Sequence, residues 1–104
     1  MKVLLIDPFK QNIEHLEITG KLADIRAAIG FDTIESDEIG DDDDHLFFDE
    51  ECFIREQPHP GRFRLDRLAP VAGRAVVVGG GPDEATLREP SISLDALQAR
   101  VTFS

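Results

Sequence analysis

A chain of 104 residues and 11.5 kDa has room for one hydrophobic core, and its 41% hydrophobic content is that of a globular domain rather than a disordered one. The lone cysteine, Cys52, excludes an internal disulfide and points to a reducing, cytoplasmic setting. The net charge of −10 is unevenly spread: residues 1–31 are neutral, residues 32–51 hold eleven acids with no Lys or Arg, and residues 52–104 balance to +1.

In chain order, Lys2 to Asp7 is a short apolar run closed by Pro8, which predicts a buried strand. The run is too short for a secretion signal or a membrane span. Ile13 to Thr19 is a second strand, with Leu16 and Ile18 on one face. Lys21 to Ile29 predicts a helix, since Leu22, Ile25 and Ile29 share a face and Gly30 stands where a C-cap glycine belongs. Thr33 to Ile39 alternates and predicts a strand, and Leu46 to Asp49 predicts another, so the acidic run between them is a hairpin tip.

Cys52-Phe53-Ile54-Arg55 is expected to continue the sheet, and Pro58-His59-Pro60-Gly61 to turn. Arg74 to Val78 is the strongest strand signal, ended by Gly79-Gly80-Gly81-Pro82. Ser93 is a natural N-cap for a helix over Leu94 to Arg100, with Ile92 and Leu97 at the spacing of a hydrophobic staple. The pattern predicts one α+β domain: a mainly antiparallel sheet of about five strands with two short helices.

Motifs that would carry chemistry fail on spacing or charge. Val76 to Pro82 has the glycines of a dinucleotide turn, but its third glycine position holds Glu84, whose carboxylate opposes a pyrophosphate. No cofactor is therefore expected. Asp41 to Asp44 lacks the glycine and glutamate of a calcium loop, so it reads as solvated charge with no metal site, ahead of weak, non-specific Ca²⁺ or Mg²⁺ association. Cys52 follows Asp49-Glu50-Glu51, which disfavours a thiolate, so pairing it with His45 or His59 as nucleophile and base is not expected. His15 falls in a strand and reads as a structural or surface residue. Without a nucleophile–base pair or a ligand set, the expectation is a protein that is not an enzyme.

The acidic segment, residues 32–51, is the candidate binding surface. Glu35, Asp37, Glu38, Asp41, Asp42, Asp43, Asp44, Asp49, Glu50 and Glu51, alternating with Ile34, Ile39, Leu46 and Phe48, form a sheet face and turn that display carboxylates as a DNA mimic would. The partner this implies is a basic, nucleic-acid-binding protein. As an exposed turn, Asp41 to Asp44 should tolerate replacement by Asn and Ser without loss of folding. The bland reading is a solubilising loop. Arg62, Arg64, Arg67 and Arg74 form a basic stripe expected to pair with the acidic segment, within one chain or between copies in a homo-oligomer.

Val71-Ala72-Gly73-Arg74-Ala75-Val76-Val77-Val78-Gly79, preceded by Leu65-Asp66-Arg67-Leu68-Ala69, resembles an uncharacterised family of short domains found in phage, plasmid and other mobile-element proteins. The similar order of elements extends from Lys2 to about Val101. The family pattern favours asparagine where Asp66 stands, and the acidic run is longer here. The resemblance implies no catalytic residues; it implies an accessory protein of a mobile element, including an inhibitor of a host defence system.

The charge map generates one expectation directly. An eleven-acid segment repels phosphate, so labelled duplex and single-stranded DNA should keep their electrophoretic mobility at about 0.1 M salt with micromolar protein. A salt-sensitive shift would contradict it.

Overall fold

Val76, Val77 and Val78 offer no polar face, so the strand that holds them must be covered on both sides. The computed structural model describes residues 1–40, 43–52 and 61–103, and in it that strand is β7 (Ala75–Gly79), with all three valines at 0% exposure. Each contributes about 2 kcal/mol by leaving water. Around it lies a five-stranded antiparallel sheet in the order β2-β1-β7-β4-β3, formed by β1 (Lys2–Asp7), β2 (Asn12–Glu17), β3 (Ile34–Glu38) and β4 (Asp44–Asp49).

One face of this sheet is covered by α1 (Leu22–Ile29). Ile25 and Ile29 pack against Val3, Leu5, Phe47, Val76 and Val78. Gly30 ends the helix at φ 93°, a left-handed conformation that glycine adopts without a Cβ clash, and its N–H donates to the Arg26 carbonyl. Lys21 is the N-cap residue but gives no side-chain cap. Instead, Glu84 of a single 3-10 turn (Glu84–Thr86) accepts the Leu22 N–H at 2.8 Å. Asp24 accepts from the Thr19 hydroxyl and amide, which hold its carboxyl below the usual carboxylate range.

The other face carries Leu4, Ile6, Leu46, Ala75 and Val77, and it is closed by a second sheet and a second helix. The sheet runs β6-β5-β8, with β5 (Arg62–Leu65) between β6 (Val71–Ala72) and β8 (Val101–Phe103). It was not foreseen, although Arg62-Phe63-Arg64-Leu65 alternates: Phe63 and Leu65 point inward at 1% exposure while both arginines face solvent. The helix, α2 (Leu94–Arg100), starts where expected. Ser93 accepts the Ala96 N–H at 3.1 Å, and Leu97 is fully buried in the core that Ile92 packs against.

The architecture is therefore α+β, as read from the sequence, with two sheets rather than one. Cys52 is buried in a turn after β4 rather than in a strand. Its expected continuation through Phe53, Ile54 and Arg55, most of the Pro58–Gly61 turn, and His59 lie outside the described residues. Among those residues, no helix is long and apolar enough to cross a membrane.

Three aspartates are buried at the ends of strands of the five-stranded sheet, and each accepts hydrogen bonds from backbone N–H groups. Asp7 accepts from Phe9 and Lys10 in the β1–β2 turn, and Arg74 lies 3.5 Å from its second oxygen. Asp49 accepts from the Thr33 hydroxyl at 2.7 Å and the Glu51 N–H at 3.1 Å, which closes the base of the β3–β4 hairpin. Asp44 accepts from Ser91 at 2.8 Å and Ile92 at 2.9 Å, and so fixes the segment leading into α2.

The expectation that Asp41 to Asp44 can all be exchanged without loss of folding is corrected by this last contact. Asp44 is 3% exposed, and removing its carboxylate strands two N–H donors. Asp44→Ala should lower stability by about 3 kcal/mol. It should shift the urea midpoint with an unchanged m-value, whereas Glu35→Ala should stay within about 0.5 kcal/mol of the parent.

Candidate functional site

The acidic segment folds as an antiparallel hairpin in which Ile34 pairs with Asp49, Glu35 with Phe48, Ser36 with Phe47, Asp37 with Leu46 and Glu38 with His45. β4 is interior and nearly all buried, because β7 flanks it on one side and β3 on the other. β3 is an edge strand. Among the described residues no strand pairs with its outer edge, its acids are exposed, and charge on such an edge also keeps it from pairing with another chain.

Strand alternation divides the acids. Glu35 and Asp37 share the face that carries Leu46 and Phe48, whereas Glu38 lies with Ser36 and Ile34 on the face that carries Phe47 and α1. All three acids are exposed, and among the described residues none forms an ion pair. The carboxylates therefore flank both sides of one edge rather than forming one face.

The remaining acids play different parts. Asp44 and Asp49 are buried and committed to internal hydrogen bonds, so they add nothing to a docking surface. Glu50 is exposed, with its N–H on the Thr33 carbonyl, and Glu51 is half-buried. Asp41 and Asp42 lie outside the described residues. Asp43 is exposed at φ 62°, a conformation open to Asp and Asn, and its carboxylate meets Arg88 at 3.2 Å. Both partners are about half exposed, so solvent screening holds this pair to about 0–1 kcal/mol.

Contacts from distant parts of the chain hold the hairpin tip. The Gly80 N–H donates to the Asp43 carbonyl at 2.7 Å, and the Ile39 N–H to the Asp44 carbonyl at 3.1 Å. On the other flank, Arg100 donates to the Ile39 carbonyl at 2.6 Å and to Asp66 at 2.7 Å. Asp66 has φ 51°, which is why Asp or Asn suits that position. Among the described residues, Arg88 and Arg100 thus reach the segment. Of the stripe read from the sequence, Arg74 pairs with Asp7 instead and stacks on Phe9, with 5.6 Å between guanidinium carbon and ring centre. No local signal marks Arg88: it lies 45 residues from Asp43 and arrives through its backbone pairing with Gly79.

His45 also enters the site only through the fold. It is 7% exposed, its Nδ1 is buried without a hydrogen-bond partner, and it stands across the hairpin from Glu38.

The glycine turn after β7 is occupied by its own chain. Gly79 donates its N–H to the Arg88 carbonyl, Gly80 to the Asp43 carbonyl and Gly81 to the Thr86 hydroxyl. Gly80 also has φ 67°, and a Cβ there would overlap the Thr86 carbonyl. The glycines serve close backbone approach, and the donors that would cradle a phosphate are spent.

The chain belongs to the family described as a domain of unknown function, DUF3846, whose model matches residues 1–101. The resemblance to an uncharacterised family over most of the chain is thereby established at that level. No curated protein and no solved structure matches the chain.

With these N–H groups spent, NAD, FAD and ATP in large excess should leave the melting temperature unchanged. A ligand at 100 times its Kd would add about 2.7 kcal/mol, so a dose-dependent rise would be plainly visible and would contradict the assignment.

Proposed function

We propose that this chain is a non-enzymatic binding module that docks on a basic protein through the exposed acids of its β3 edge and hairpin tip. The observation that carries the reading is the charge of β3 in its position: Glu35, Asp37 and Glu38 lie exposed on an edge strand, without an ion pair among the described residues, in a segment with no Lys or Arg. A rigid strand loses less entropy on docking than a tail would. Glu35 and Asp37 are separated by two residues, about 6.6 Å along the strand, and so offer a cationic groove negative charge at a regular interval.

A groove built for a phosphate backbone is such a surface, so a nucleic-acid-binding protein is the favoured partner class. The finer form of the reading, an inhibitor carried by a mobile element, draws its support from the sequence resemblance to phage and plasmid domains. A second reading is supported by the outer face of the three-stranded sheet, where exposed Arg62 and Arg64 give one molecule a basic surface that an acidic edge of another copy could meet.

The double variant Glu35→Lys with Asp37→Lys separates these cases, because both side chains are exposed and should fold with a stability change of about 0.5 kcal/mol or less. A protein captured from host lysate by the parent chain should associate with the variant roughly tenfold more slowly, and the parent's rate should fall as salt rises. Self-docking would appear in sedimentation as a salt-sensitive dimer that the variant loses. An unchanged association rate and no salt dependence would leave the segment a solubilising loop.

A further inference from the structure

We propose that Glu38, Asp43 and His45 form a site for one divalent transition-metal ion of the Zn²⁺ kind at the tip of the β3–β4 hairpin. One donor atom from each of the three, a carboxylate oxygen or an imidazole nitrogen, lies within 4.8 Å of the others. Glu38 and His45 are directly opposite in the antiparallel register, which puts their side chains on the same face, and Asp43 precedes His45 by two residues.

The imidazole sets this group apart from a plain patch of surface carboxylates. His45 is 7% exposed, and its buried Nδ1 finds no hydrogen-bond partner. A buried polar atom in that state is costly unless something answers it, and the same imidazole brings one of its two nitrogens, Nδ1 or Nε2, within 4.8 Å of both exposed carboxylates. Sheet pairing fixes the ring's strand on both sides, since His45 also pairs with Val78 of β7.

The donor set selects the ion. Imidazole suits Zn²⁺ and its transition-metal neighbours, whereas Ca²⁺ and Mg²⁺ want oxygen donors alone. Zinc bonds of about 2.0–2.2 Å put tetrahedral donors about 3.4 Å apart, a spacing to which donors already within 4.8 Å of one another need only small movement. The exposed Glu38 side chain, with three rotatable bonds, can supply that movement. Asp43 is already oriented: the Gly80 N–H holds its carbonyl and Arg88 holds its Oδ2, in the manner of the outer hydrogen bonds that position metal ligands. Three protein donors leave a fourth position for water.

The site shares Glu38 and the hairpin tip with the docking reading, which rests on Glu35 and Asp37 as well, and the test keeps the two apart. Calorimetric titration of metal-free full chain with ZnCl₂ should show about one ion per chain, bound more tightly than Mg²⁺. Glu38→Gln and Asp43→Asn should each weaken it at least roughly tenfold, and Asn retains the backbone conformation that Asp43 needs.

Glu35→Gln with Asp37→Asn removes twice the charge of either single variant from the same strand region but should leave the zinc affinity within about twofold, given solvent screening. In the unaltered protein, zinc should shift the ring-nitrogen resonances of His45 and leave those of His15 in place. This readout needs no substitution of a buried residue. A His45 ring that does not respond to zinc, or a Glu35/Asp37 variant that weakens binding as much as Glu38→Gln does, would overturn the site.

Discussion

The whole arrangement depends on β7 having no face that can meet water. Val76 and Val78 point to one side and Val77 to the other, and all three are fully buried. A strand of this kind cannot lie in a sheet that has one wet face, so a second layer is needed on each side. α1 supplies one layer, and the three-stranded sheet with α2 supplies the other. Placing β7 at the middle of five strands also leaves β2 and β3 as the edges, and an edge is the position in this sheet where an acid-rich strand can be hydrated.

That constraint gives aspartate two opposite roles within one short segment. Asp44 and Asp49 occur in β4, next to β7, where the backbone around them is buried and each carboxylate answers N–H groups that would otherwise be unsatisfied. Glu35, Asp37 and Glu38 occur one strand further out and remain in solvent. The eleven acids are thus not one electrostatic object. Those of β4 contribute to stability through hydrogen bonds, and those of β3 contribute potential at the surface.

The hairpin tip is where the two roles meet. Asp43 is tied to the glycine turn after β7 by its backbone and to Arg88 by its side chain, so the start of β4 is anchored to the core. A partner that docks along β3 would therefore meet a pre-set surface, the condition under which charge gives specificity and speed rather than diffuse attraction. A cation held between Glu38, Asp43 and His45 would neutralise one end of that surface and leave Glu35 and Asp37 on the other face of the strand unchanged. Charge at the tip and charge along the edge would then be separately adjustable.

Much of this was legible in the residues. The valine run had to be a buried strand, Gly30 had to end a helix, Ser93 had to begin one, and the acids had to gather in a hairpin, because each of these follows from local chemistry. The second sheet was partly written in the alternation of Arg62-Phe63-Arg64-Leu65, but its partner strands have two and three residues and no pattern of their own.

The fate of each acid was a different matter. Asp43 and Asp44 are neighbours in a run of four identical residues, yet one is exposed and the other is 3% exposed. The difference comes from Ser91, Ile92 and Arg88, more than forty residues away, which the strand order brings to the tip. His45 likewise gained its unpartnered nitrogen and its two carboxylate neighbours through cross-strand register and burial. Composition and spacing determined the elements and the charge. Strand order alone decided which carboxylates face water, because burial is set by what lies across the sheet and not by what stands beside a residue in the chain.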